Sequence, residues 1–379
     1  MKSEQIELKK LDPDALRIIE TLQRSGHEAY FVGGCVRDLL LGLTPKDFDI
    51  ATSATPQEVR RLFRNCRLIG RRFQLAHLLY GADKIIEVAT FRRAPSKEFQ
   101  RGKLIVDDNN FGDVTSDSFR RDFTVNALFY DPIEDQIVDR CRGQQDLAKR
   151  LLRTIGEPRE RFQEDPIRML RGIKFAARLE LSFEKKTEAA LRSERSELSK
   201  AAKPRFLQEL LRMMQGGAAV RSYALLERFA FLDLLCPELL AVWEAHPATR
   251  SMSQGLFHRL DLLPPARRAE LSEPTLIAIL FWPIFQALSR SYEFSYAHRE
   301  RLAQRLLAPF ATRVSFPAKE LLYCAQLLAA QDCSEAAPLP ARDRLIARQS
   351  AALALLRGAP PIPIELGATK GKRRRRRRR

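Results

Sequence analysis

Cysteine, long apolar runs and an apolar leader are all scarce or missing in this 379-residue chain. The six cysteines, at 35, 66, 141, 236, 324 and 333, include no C-x-x-C pair. That argues against a zinc site or a disulfide framework and fits reduced thiols in the cytosol. The longest apolar stretch, Leu276 to Phe285, is too short to span a bilayer and contains Pro283, so no transmembrane helix is expected. The first residues, Met-Lys-Ser-Glu-Gln, run directly into charge, without the apolar core of a secretory peptide. No internal repeat is visible, and a cytoplasmic protein is the expectation.

Positive charge is what the chain has in excess. Lysine and arginine number 65 against 47 acidic residues, a formal charge of +18. Lys370, Lys372 and the run Arg373 to Arg379 supply nine of those charges, and the rest of the chain is basic too. Solubility alone would be served by such an excess, but a polyanion, nucleic acid or nucleotide, is the natural partner. A hydrophobic content of 45% and a charged content of 30% give an ordinary soluble balance, with length enough for two or three domains.

Periodicity divides the chain in two. Asp12-Pro13 reads as an N-cap and first-turn proline, with Leu16, Ile19 and Leu22 at helical spacing and Gly26 ending the helix. Ala29 to Val32 reads as a strand, Val36 to Leu41 as a helix, and Phe48-Asp49-Ile50 as a second strand. Thr55 to Glu58 is a capping box opening a helix with Val59, Leu62 and Phe63. Ala76 to Tyr80 and Ile85 to Thr90 are two more strands around Gly81-Ala82-Asp83. From about Arg93 to Ser118 the pattern is lost and a long loop is expected. A helix is expected to begin over Phe123 to Phe129, followed by a strand at Gln136 to Val138. Helical spacing then dominates, as in Phe206, Leu207, Leu210, Leu211 and Met214. The first 155 residues are thus mixed α/β and the remainder helical; after Ala359, prolines and the basic run predict a disordered tail.

Two local patterns carry chemistry. Lys46-Asp47-Phe48-Asp49-Ile50 puts two carboxylates on one face of a strand, roughly 6–7 Å apart, while Phe48 points into the core. Such a pair repels itself unless neutralised, and two Mg²⁺ ions do so in a manner suited to in-line phosphoryl transfer. Glu87, between Ile86 and Val88, is the candidate third carboxylate, activating the attacking hydroxyl. Gly33-Gly34, between strand and helix, lets backbone approach a phosphate. Alone, an Asp-x-Asp is equally a solvated strand end and Gly-Gly an ordinary turn; in strand–turn–helix–strand order they support each other.

Here the chain resembles a known family. Phe31-Val-Gly-Gly-Cys-Val-Arg-Asp-Leu-Leu-Leu-Gly42 followed by Pro45-Lys-Asp-Phe-Asp-Ile50 is similar to the head of class II nucleotidyltransferases of the polymerase-β superfamily, which includes CCA-adding enzymes and bacterial poly(A) polymerases. The resemblance implies Asp47 and Asp49 as metal ligands and places Arg37 and Asp38 in the same signature. Arg120-Arg-Asp-Phe-Thr-Val-Asn126 resembles the family's segment contacting ribose and triphosphate, implying roles for Arg120, Arg121, Asp122 and Asn126. Glu164-Asp-Pro-Ile-Arg168-Met-Leu-Arg171 resembles its nucleotide-selecting helix; the following Lys174-Phe175 keeps the charge of the family's usual arginine. The motifs cover residues 30 to 180, with weaker likeness to about 235.

The last motif has a physical reading. Asp165, Arg168 and Arg171 recur every three residues. Carboxylate accepts and guanidinium donates, matching the amino donor and ring-nitrogen acceptor shared by adenine and cytosine and rejecting guanine and uracil. A mismatch would leave buried polar groups unpaired at about 1–3 kcal/mol each. A helix-surface ladder of ion pairs has the same sequence.

Leu68-Ile-Gly-Arg-Arg-Phe-Gln-Leu-Ala-His77 resembles the poly(A) polymerase branch. With Arg64 and Arg67, Arg71 and Arg72 form a basic patch suited to triphosphate or an RNA 3′ end, or else a solvated basic face; His77 reads more simply as a hydrogen-bonded strand residue. The tail, Arg373 to Arg379 included, matches that branch and suits non-specific, salt-sensitive RNA affinity. Trp243 and Trp282 read as core.

The resemblance implies an α+β fold: a nucleotidyltransferase head over 15–155, a helical neck over 156–235, a helical RNA-binding body over 236–358, and the tail over 359–379. It implies template-independent addition of AMP from ATP to RNA 3′ ends, of mRNA and small RNA, with two Mg²⁺ ions. A CCA-adding enzyme is the alternative, since the base-edge argument admits both. Mere RNA binding would leave Asp47, Asp49, Glu87 and Asp122 without a purpose, and an antibiotic nucleotidyltransferase would leave the helix from Glu164 and the tail without one.

Overall fold

The computed structural model describes residues 6–70, 74–81, 84–93, 110–289, 295–331 and 344–358. It divides into two units, Met1–Glu164 with Leu181–Ala190, and Asp165–Glu180 with Leu191–Arg379.

The first unit is built on a seven-stranded sheet. Helix α1 (Pro13–Arg24) starts where the Asp12 carboxylate accepts from the Asp14 and Ala15 amides at 3.0 and 3.1 Å. Its buried stripe is Ala15, Ile18, Ile19 and Leu22; Leu16 of the expected stripe is only half-buried. Strand β1 (Ala29–Val32) leads into α2 (Gly34–Leu40), then β2 (Ile50–Thr52) into α3 (Pro56–Leu62). The Thr55–Glu58 capping box is fully formed. Next come β3 (Cys66–Ile69), β4 (Leu75–Tyr80) and β5 (Lys84–Thr90). After α4 (Val114–Arg120) the chain forms β6 (Leu128–Asp131), β7 (Gln136–Asp139) and α5 (Gly143–Ala148). The strand order is β3-β4-β5-β2-β1-β6-β7, antiparallel except for the β2–β5 pair. Phe91, Phe129, Val32, Ala51 and Val114 form a buried cluster on one side of the central strands.

Three expectations change. The helix expected over Phe123 to Phe129 is a single 3₁₀ turn, Thr124–Asn126, because Leu128 onward joins the sheet between β1 and β7. The loop expected over 93 to 118 ends early: Asp113 and Ser116 form a capping box, so α4 begins at Val114. Strand β2 begins at Ile50, so Asp47 and Asp49 lie in the extended segment before it, with the Asp49 carbonyl accepting from the Val32 amide at 3.0 Å.

The first unit also holds a two-stranded parallel pair, β8 (Leu151–Leu152) with β9 (Ser182–Phe183). Strand β9 is a brief return of extended chain within a stretch read as helical. Helix α6 (Pro158–Glu164) ends the main run of this unit, and α8 (Lys185–Ser193) follows β9.

The second unit is helical. It comprises α7 (Ile167–Leu179), α9 (Lys203–Gln215), α10 (Ala219–Arg228), α11 (Leu232–Leu235), α12 (Pro237–Ala245), α13 (Pro247–Leu262) and α14 (Pro265–Ala269). Four further helices follow: α15 (Glu273–Ser289), α16 (Tyr296–Val314), α17 (Ala318–Ala330) and α18 (Arg344–Arg357). Helix α15 is the centre of the core. Every residue from Pro274 to Phe285 is buried, as an all-round apolar helix requires, and Pro283 is accommodated inside it. Both tryptophans are buried: the Trp243 indole donates to the Ser253 hydroxyl at 3.0 Å, and Arg357 lies over the Trp282 ring at 3.7 Å. Among the described residues the cysteines are unbridged, and no helix is long and apolar enough to cross a membrane.

Candidate active site

The sheet register brings the carboxylates together. Ile50 pairs with Val88 in parallel, so the residues just before them, Asp49 and Glu87, stand side by side. Asp47 is two residues back. All three line one cleft of about 490 Å³, with Lys46, His77 and Ile85. On β5 the alternation read from sequence holds: Ile86 and Val88 are buried while Glu87 faces out. Phe48, expected to point into the core, packs its ring on Phe31 at 5.6 Å but is only half-buried and lines the cleft beside the aspartates, because residues 47–49 precede the strand. Asp49 opens onto the cleft but is walled by protein. That low-dielectric surrounding, and then the charges of Glu87 and Asp47, push its carboxyl up to about 6, against the opposing pull of Arg121. Mutual repulsion of this kind is relieved by a hard cation with oxygen ligands, so the donor set fits Mg²⁺. Among the described residues, no three carboxylate, histidine or cysteine groups converge into a ready-made metal cage.

Beside the cleft, Gly33 has φ +74°, a region that favours glycine. A Cβ there would also meet Arg121 Nη1 at 3.2 Å, whereas one at Gly34 would meet only Arg37 Nη2, at an ordinary 3.7 Å. Arg37 is 3% exposed and turned inward. Its Nε and Nη2 donate to one Asp38 oxygen at 2.8 and 2.6 Å, and its Nη1 donates to the Asn126 side-chain oxygen. The Asn126 amide in turn donates to Asp122 Oδ1 at 3.1 Å, as does the Phe123 backbone at 2.9 Å. Asp122 and Asn126 therefore meet as an i, i+4 pair would, although a 3₁₀ turn brings them together.

Arg120 and Arg121 share a partner that the motif did not single out. Asp117, buried on α4, accepts from Arg120 Nε at 2.8 Å on one oxygen, and from Arg121 Nη2 and Nε at 2.8 and 3.1 Å on the other. Arg121 also lies over the Phe129 ring at 5.0 Å. The backbone carbonyls of the same two arginines accept from Arg161 Nη2 at 2.6 and 2.9 Å, while Arg161 Nη1 donates to Glu164 at 2.7 Å. The signal for Asp117 was present as its spacing, three and four residues before the arginines on one helical turn. Nothing local marks Arg161.

The second unit carries the other motif. Asp165 precedes α7, and its carboxylate is taken bidentately by Arg205 of α9 at 3.1 and 2.8 Å. Arg205 is thus a partner the sequence reading missed. Arg168 and Arg171 are half-buried one turn apart, with Arg171 over the Phe175 ring at 5.7 Å. The next position on that face, Lys174, is paired with Glu209 at 2.5 Å. Arg71, Arg72, Arg373, Arg379 and the expected disordered tail lie outside the described residues.

Comparison with known proteins is consistent along the chain. Residues 29–153 match the family described as the poly A polymerase head domain, and residues 180–242 the one described as the probable RNA and SrmB-binding site of polymerase A. Poly(A) polymerase I of Haemophilus influenzae is 45% identical over 281 residues, 71% of this chain and 61% of that protein. A CCA-adding enzyme of Enterococcus faecalis is 36% identical over 263 residues, 68% of this chain and 59% of that one. Among solved structures, a CCA-adding enzyme in its second apo form shares the fold with a TM-score of 0.62 at 21% identity, over 93% of this chain and 81% of that one. The chain spans 61% of the length of the Haemophilus polymerase it matches.

Proposed function

The chain belongs to the poly(A) polymerase family of nucleotidyltransferases, and from that premise we propose that it adds AMP from ATP to RNA 3′ ends without a template. The observation that carries the reading is the carboxylate cleft: Asp47, Asp49 and Glu87 line one space, and burial, with the charges of Glu87 and Asp47 added to it, raises Asp49. Mere binding of RNA has no use for three carboxylates lining the cleft that a polyanion would enter.

In this reading Asp47 and Asp49 hold Mg²⁺, expected as two ions. Bound there, the cation would polarise the α-phosphate and lower the pKa of the attacking hydroxyl. Glu87 takes the proton of the RNA 3′-hydroxyl. The 3′-oxygen forms a bond to the α-phosphorus, the bond from that phosphorus to the bridging oxygen breaks, and pyrophosphate leaves. Arg120 and Arg121 supply donors to the triphosphate, and Gly33, lacking a Cβ, lets Arg121 and phosphate approach the backbone. Asp122 and Asn126 serve the ribose. Arg37, locked onto Asp38 and Asn126, serves by fixing the Asn126 amide. Base choice falls to Asp165, Arg168 and Arg171, with Arg205 holding the Asp165 carboxylate. Arg71, Arg72 and the tail with Arg373 and Arg379 add affinity for RNA. A cytoplasmic setting is supported by the cysteines that stand unbridged among the described residues.

The 36% identity to a CCA-adding enzyme supports a second reading, addition of C, C and A to tRNA. Primer extension separates the two. Each nucleoside triphosphate is given singly, and CTP with ATP, to an unstructured RNA and to a tRNA lacking its 3′ CCA. Long ladders from ATP alone on both RNAs are expected. Two additions from CTP and one from ATP, confined to tRNA, would replace the poly(A) reading with the CCA reading. No extension by folded protein would refute both.

A further inference from the structure

Strands β4 and β5 have one buried and one open face, and the adjoining β3 has one half-buried and one exposed face. Ala76, Leu78, Ile86 and Val88 fill the core on one side. On the other, direct cross-strand partners run in a row: Arg67 opposite His77, and His77 opposite Glu87. Cross-strand partners share a face, as do residues two apart along a strand. The same open face therefore carries Ile69, Leu79 and Ile85. Ile69 and Ile85 are 48% and 50% exposed, and Leu79 is half-buried. His77 Nε2 stands 3.5 Å from Glu87 Oε1, so the row leads directly into the carboxylate cleft.

We infer that this open sheet face seats the last nucleotides of the RNA primer, an inference that rests on the nucleotidyltransferase reading of the cleft and extends it. The occupant follows from continuity and charge. In that reading the primer's 3′-hydroxyl must reach Glu87, so the strand behind it has to leave the cleft over adjoining surface. The adjoining surface is apolar where bases would lie, at Ile69, Leu79 and Ile85. It is cationic at Arg67, where a phosphodiester would pass. Single-stranded RNA is held in this way, by apolar platforms under the bases and basic groups along the backbone. A platform of aliphatic side chains offers no base-specific hydrogen bonds, as an enzyme that must accept any 3′ end requires. This surface lies in the first unit, and none of its residues falls within 180–242, which match the described RNA-binding family.

The test uses the full chain and a single-stranded RNA ending in 4-thiouridine, crosslinked by light with Mg²⁺ and a non-hydrolysable ATP analogue. Crosslinks are expected in the peptides spanning β3 to β5. In parallel, Arg67→Ala and the pair Ile69→Ser with Ile85→Ser are assayed by primer extension. Each is expected to raise the KM for RNA about tenfold with the KM for ATP unchanged, and Arg67→Ala to reduce the salt slope of RNA binding by about 0.7. An unchanged KM for RNA in folded variants, or a change in the KM for ATP alone, overturns the inference. So does a wild-type crosslink elsewhere, which needs no variant to fold. If the wild-type chain extends nothing from any nucleotide, the reading of the cleft fails, whereas normal ladders with crosslinks elsewhere defeat only the RNA seat.

Discussion

At the scale of single residues, Asp117 decides how the arginine pair is presented. One buried carboxylate, 2% exposed as a residue, holds two guanidinium groups on separate oxygens. Burial alone would raise its pKa; Arg121 and Arg120 more than offset this and hold it below the usual carboxylate range. The stability it contributes is therefore present above the ordinary carboxylate pKa and is lost as pH falls through the depressed one. Asp117→Asn keeps the shape but leaves the two cations short of a partner, an expected loss of about 3 kcal/mol. Thermal melts from about pH 7 down to pH 3 check both points: the variant should melt lower at neutral pH and lose less than wild type on acidification. Parallel acid limbs would show that Asp117 is not the titrating group. The cleft carboxylates give a different outcome. Asp47→Ala or Asp49→Ala should abolish nucleotide addition while RNA binding by filter retention stays nearly intact, and turnover retained in both would refute their assignment as metal ligands.

At the scale of elements, turn geometry places the site more than helix propensity does. Gly143 opens α5 with its Cα pressed against the 3₁₀ turn that carries Asn126: an added Cβ would meet the Thr124 carbonyl oxygen at 2.3 Å. Backbone cannot yield as a side-chain tip can, so Gly143→Ala should cost about 2 kcal/mol and shift the turn. The check is a lowered melting temperature together with a raised KM for ATP, because the turn holds Asn126 against Asp122. A melt identical to wild type would show that the turn gives way freely. The same turn marks the limit of what the sequence revealed. Caps and alternation were legible because they are local: the Thr55 box, the Asp12 cap, and the strands on either side of Gly81 all stand where their patterns put them. Phe123 to Phe129 misled because its apolar spacing satisfies a helix, while pairing of Leu128–Asp131 with β1 and β7 is a contact between distant segments. Strand β3 escaped notice for a related reason. One face is only half-buried and the other is exposed, so its hydrophobic signal is weak, and only its register with β4 makes it a strand. In the site, the aspartates and arginines were legible as motif residues, but their holders were not. Arg161 reaches the Arg120 and Arg121 carbonyls from about forty positions away, and Arg205 reaches Asp165 from a different helix.

At the scale of the whole molecule, charge is distributed in two ways. Half of the net +18 lies in the last ten residues, as a run with no apolar residue; the other half is the excess of bases over acids in residues 1–369, where individual arginines are paired with carboxylates. Only cations that neutralise RNA phosphates release counterions, so the two populations should contribute unequally to binding. Arginines committed to carboxylates within the fold, such as Arg313 with Glu238 at 2.8 Å and Arg205 with Asp165, have little left to exchange. The terminal run has no acidic residue within it. Deleting residues 370 to 379 should therefore remove a larger share of the salt dependence than its share of the length, at about 0.7 in slope for each single-strand phosphate that the tail no longer neutralises. Extension of a primer too short to reach beyond the cleft should survive, since Asp47, Asp49 and Glu87 all lie in the first unit. Filter-binding titrations of the full and shortened chains across salt concentrations, set beside extension of a short primer, measure both halves of that expectation. An unchanged slope would mean that RNA is held electrostatically by the folded units alone, and loss of short-primer extension would mean that the tail takes part in the reaction and not only in capture.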